Sequence, residues 1–166
     1  MPRGANSLAP PNASGTAPRS SSTPLSDTLL LGVGKDADAA GRVGGVKVSL
    51  FDVGDAARPR ELASQVFGST GSQSGLDHSR QGMTLLQQSA VMRLATPLFL
   101  YDARFTNARD RLQGWEVDLA AATLKSKPAI TPVGATPPGN LAQQRSVLIG
   151  EQVYWLRGGR LSSHAW

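Results

Sequence analysis

The sequence predicts an all-β fold, and three observations carry that prediction. Eighteen glycines and eleven prolines supply turns at a density that suits short strands better than helices. Residues 28–59 hold two strand-like apolar runs, a polar Gly/Asp loop and a Pro-bounded turn. Residues 145–166 read as three short strands joined by tight turns, an antiparallel meander.

Taken in order, the chain begins with a leader, residues 1–24, of Pro, Ser, Gly, Ala and Asn. It has almost nothing to bury and cannot offset the entropy of ordering its backbone, so disorder is expected. A secretory signal needs an apolar run of about 7–15 residues, and Leu8 and Ala9 run straight into Pro10 and Pro11. No window approaches the ~18 apolar residues of a membrane-spanning helix.

From residue 25 the texture changes. Residues 28–33 (TLLLGV) form an apolar run too short for a helix. In 46–53 (VKVSLFDV), Val46, Val48 and Leu50 face one way and Lys47 and Ser49 the other. Phe51 and Val53 continue the second face, so this strand ends buried on both sides or carries a bulge. Residues 54–59 are a turn, 62–67 a further strand, and 68–75 a Gly/Ser-rich loop. Residues 83–86 and 91–101 are strands, with Pro97 marking the latter as an edge or a break. In 112–119, Trp115, Val117 and Leu119 share a face opposite Glu116 and Asp118. Four prolines make 127–141 mostly loop around a short segment at 129–133. Strands follow at 145–149, 152–157 and 160–166; Gly150-Glu151 and Gly158-Gly159 make the turns, the second through positive φ angles.

Composition narrows function. With no cysteine, disulfides, thiolate nucleophiles and Cys-based metal sites are excluded. The net charge is +5, but Arg3 and Arg19 are the only charged residues before Asp27; residues 25–166 carry 15 basic against 12 acidic side chains, a net of +3. The arginines are scattered and aromatics make up 5%, unlike the basic stripe with stacking residues of a nucleic-acid binder. A solvated Arg-rich surface is the reading, and no nucleic-acid partner is expected.

The string from Leu29 to Gly68, with Asp77-His78 and the terminal RSVLIGEQVYWLRGGRLSSHAW, resembles a group of exported bacterial proteins with a C-terminal β-propeller distantly related to WD repeats. The matching positions are 30–34, Asp38, Gly41-Arg42, Gly45, 49–53, Asp55 and Pro59, then the Asp77-His78 pair and Arg145-Ser146. Likeness spans 24–166, strong up to His78, weak over 79–143 and good at the end. Gly54 stands where the family usually has Ser, and 79–81 (SRQ) where an apolar strand start is usual. The resemblance implies a propeller and an exported location, although the chain shows no signal peptide; it brings no activity with it.

A propeller needs about four to eight blades of four strands, at roughly 40–45 residues each. Residues 25–166 suffice for about two to three blades, so the expectation is a partial β-propeller, the C-terminal fragment of a larger one. A truncated gene, a frameshift or a mispredicted start would each yield such a chain. Open blade edges invite strand addition or self-association.

Several groups of residues have the look of chemistry. Asp36, Asp38 and Gly41 match positions 1, 3 and 6 of an EF-hand-type calcium loop, but Ala40 and Lys47 occupy positions 5 and 12. A polar hairpin loop is the favoured reading. Gly32-x-Gly34 lacks the third glycine and helix of a dinucleotide site. Asp77-His78-Ser79 has the residue types of a hydrolase triad without its geometry; a His that anchors a loop is the plainer role. Glu116 and Asp118 are spaced about 7 Å apart on one strand face, as a glycosidase pair could be, a spacing common to solvated strands. Trp115, Tyr154, Trp155 and Trp166 are expected to pack between blades. The reading is a non-catalytic binding module with no catalytic residue, cofactor or resident metal; the alternative is the remnant of a propeller hydrolase whose site lies mostly outside this chain.

Overall fold

The computed structural model describes residues 20–105, 107–133 and 139–166. Their strands form three antiparallel sheets. The first runs β1 (Ser21–Pro24), β2 (Leu29–Ala37), β3 (Val43–Asp52), β4 (Arg60–Phe67). The second contains β5 (Gln73–Ser74), β6 (Thr84–Gln88), β7 (Val91–Tyr101), β8 (Ala108–Asp118) and β9 (Thr123–Ser126). The third is β10 (Arg145–Ile149), β11 (Gln152–Arg157) and β12 (Arg160–Ala165).

β5 and β6 both pair with one edge of β7, β5 with its C-terminal and β6 with its N-terminal half. Together they act as one interrupted first strand. The interruption holds two 3₁₀ turns, Gly75–Asp77 and Arg80–Gly82. These turns touch through Gly75 and Gly82, where a Cβ on either would run into the other's backbone.

The sheets stack in series, as consecutive blades do. From the first sheet Leu29, Leu31, Val33, Val46, Val48 and Leu50 meet Met92, Leu94, Leu98, Trp115 and Val117 of the second. Across the second sheet's other face Ala95 and Leu112 meet Leu148, Val153 and Trp155. The period-2 alternation of a strand does this sorting, one side of each strand serving each neighbour. First strands lie beside first strands, with β10 against β6, and β4 lies against β9 at the opposite edge.

The two faces read in 46–53 are those observed, and the register shift between Leu50 and Phe51 is the expected bulge. Positive φ at Gly150, Gly158 and Gly159 makes the terminal turns. Three expectations need correction. Residues 21–24, assigned to the disordered leader, form β1, which gains order by pairing with the apolar β2; residues 1–19 lie outside the described residues. Pro97 neither breaks nor marginalises its strand: β7 is central and continuous. On the β5/β6 side the ladder ends at Ala95 and resumes at Leu98, so the proline's missing N–H falls in a gap that has no partner. Tyr154 does not pack between the described blades. It is half-buried on the face of β11 opposite Val153 and Trp155.

Candidate functional site

The acidic side chains singled out in the sequence have different surroundings. Asp38 sits in the β2–β3 turn, accepts the backbone N–H groups of Ala40 and Arg42 at 2.9 Å, and pairs with Arg42 Nε at 2.6 Å. The Arg42 N–H and then its guanidinium hold this carboxyl below the ordinary Asp value. Asp36 lies beside Gly44 across the hairpin, and among the described residues no cluster of three metal-ligating side chains forms. Asp38 thus makes an Asx-type turn through Ala40 N–H.

Asp77, His78 and Ser79 lie on the paired turns, not on a strand, and turn to different partners. Asp77 accepts from Ser74 N–H at 2.9 Å and meets Lys35 Nζ at 2.6 Å; the same Nζ reaches the Ser72 carbonyl at 2.5 Å. Lys35 belongs to β2, so this half-sequestered ion pair ties the first sheet to the second. His78 Nε2 is 3.1 Å from Gln73 Oε1, and Ser79 Oγ accepts from Gln81 N–H. A lysine in an otherwise apolar strand run was the available signal for this clamp, and its partner could not be read from spacing.

Glu116 accepts from Trp166 Nε1 at 2.7 Å, with Arg93 and Lys127 beside it, whereas Asp118 caps the turn at Ala120 and Ala121. Their carboxylates have different partners. Trp115 and Trp155 are buried between sheets as expected; Trp115 meets Phe67 edge-on at 5.5 Å and donates to Gln65, and Trp166 lies over Gly114.

What the fold does assemble is a cleft of about 740 Å³ between the first strands of the first two sheets. One wall is β1 with Ser20, and the other is Leu76, His78, Ser79, Arg80, Met83 and Leu85. β1 pairs only with β2 among the described strands, so its second edge borders the cleft. Apolar Met83 and Leu85 sit beside the cationic Arg80, a surface that offers backbone amides, an apolar floor and one positive charge.

Three antiparallel sheets stacked face to face, first strands together, are the geometry of propeller blades, and the family model for the β-propeller domain matches residues 23–166. The chain belongs to the β-propeller domain family. No curated protein and no solved structure matches it. The described residues therefore comprise three blades, the third with three strands.

Proposed function

We propose that this chain is a non-catalytic β-propeller binding module, with the cleft between β1 and the 75–85 segment as its ligand surface. The observation that carries this reading is the edge of β1 that no described strand pairs, lying along a cleft large enough for a chain segment. An extended peptide can add to such an edge through main-chain hydrogen bonds, with flanking pockets choosing its side chains. Leu76, Met83 and Leu85 supply the apolar contacts and Arg80 favours an acidic residue alongside. Among the residues with the look of chemistry, Asp77 pairs with Lys35, His78 meets Gln73 and Glu116 accepts from Trp166.

Selection of phage-displayed peptides on the immobilised full chain tests the reading. An enriched peptide should bind with a Kd that rises at least tenfold when Leu85, exposed in the cleft, is changed by Leu85→Glu. Peptides whose affinity ignores both Leu85→Glu and Arg80→Ala would place binding elsewhere and sink the proposal.

A further inference from the structure

The first and third blades each have one face that no described residue covers. On the third blade, side chains opposite the core-facing Leu148, Val153 and Trp155 are Val147, Ile149, Tyr154, Leu156 and Leu161. Ile149 is 61% exposed and Leu161 67%, although a solvent-facing sheet surface would ordinarily alternate to polar residues. This surface projects.

The corresponding face of the first blade is hollow. Leu30, Gly32 and Gly34 on β2 and Lys47, Ser49 and Phe51 on β3 line a depression of about 350 Å³, with Val66 of β4 exposed beside Lys47. Gly32 leaves room for the Phe51 ring, which a Cβ there would meet at 3.0 Å. This face repeats the plan of the second blade's receiving face. Leu94 in the second strand and Trp115 in the third there correspond to Leu30 and Phe51 here.

Within the chain, the same stacking step is already made twice, first blade on second and second on third. A further step of the same kind would join the projecting face of a third blade to the hollow face of a first blade. Such a head-to-tail contact yields a ring if the rotation closes and a filament if it does not. Propellers close at about four to eight blades, and with three blades among the described residues the only multiple in that range is six. We propose that two copies of this chain close head to tail into a six-bladed ring, Val147, Ile149, Leu156 and Leu161 of one copy seating against Leu30, Phe51 and Val66 of the other.

Light scattering after size-exclusion chromatography of the full chain tests this. A single species at twice the 17.4 kDa chain mass is expected. Leu161→Asp and Val66→Asp should each halve that mass with the β circular-dichroism signal retained. Mixing those two variants should restore the dimer, because one of its two junctions is then wild type on both sides. A folded wild-type monomer, the outcome if other blades come from a different chain, would overturn the proposal. So would an open series of oligomers, an unfolded wild-type chain, or a Val66→Asp protein that stays dimeric, which would mean third blades meeting each other. If either substitution unfolds the protein, the native lack of cysteine allows a second readout. Lys47→Cys and Leu161→Cys chains, mixed with a short bismaleimide, must cross-link position 47 to position 161, and no such link in folded protein refutes the ring.

Discussion

Among the described residues the second blade is covered on both faces and the third on one, and their strands differ accordingly. Along β7 burial is nearly continuous from Met92 to Leu98, whereas along β10 Ser146 and Leu148 are buried while Val147 and Ile149 are open. Yet β10 is as apolar on its open face as on its covered one. Strand burial therefore reports the number of neighbouring sheets, while strand composition reports the number of neighbours the residues suit. In the second blade these two agree. In the third they do not.

The comparison is broken most severely at the tryptophans. Trp115 fills the junction of the first and second blades, and Trp115→Ala is expected to cost about 3–5 kcal/mol, lowering the denaturant midpoint of the whole chain. Trp155→Ala removes a ring of the same size beside the blade with one neighbour. Here hydrogen exchange should show protection lost in β10–β12 first, with β2 and β3 retaining theirs. Equal loss in both regions would mean that the blades unfold as one unit.

A smaller effect is expected from the ion pairs that stitch the blades. Asp110 of β8, its side chain fully buried, meets Arg157 of β11 at 2.7 Å and accepts from Gly139 N–H. Asp110→Ala leaves the guanidinium without its carboxylate, a change of about 3 kcal/mol. The Lys35–Asp77 pair is less buried, and Lys35→Met should cost about 2 kcal/mol. Urea titrations of both variants rank the two junctions, and the reverse order would contradict the burial difference.

The smallest effect belongs to Glu151, which accepts both Arg93 Nη groups at 2.9 Å from an exposed position. Arg93 holds its carboxyl below the ordinary Glu value. A lowered folded-state pKa means that the contribution is complete above the ordinary carboxylate range and is lost as pH falls through the lowered value. The melting-temperature difference between wild type and Glu151→Gln should therefore be small at neutral pH and vanish in acid. A difference that grows in acid would show that the pair does not link the second and third blades in this way.

The strands with clean period-2 patterns, β3 and the Trp115 segment of β8, were legible in the sequence because a neighbouring sheet dictates at least one face of each. The terminal meander was legible through its glycines. Three features were not. β1 has no hydrophobic pattern and exists through pairing with β2. Pro97 reads as a breaker unless the gap between β5 and β6 is known. The cleft joins residues 20–24, which carry no chemical motif, to residues 76–85, whose Asp77-His78-Ser79 string does not announce a cleft. Asp77-His78 was visible as a pair, but its partners Lys35 and Gln73 come from chain geometry that spacing does not encode.

The contact between Gly75 and Gly82 gives two loop positions the substitution profile of a protein core. In a saturation scan nearly every replacement at 75 or 82 should be depleted, while the exposed Gln81 between them accepts wide variety. A map of tolerated residues would thus trace the wall of the second blade through a segment that has no strand, and it would do so from growth counts alone.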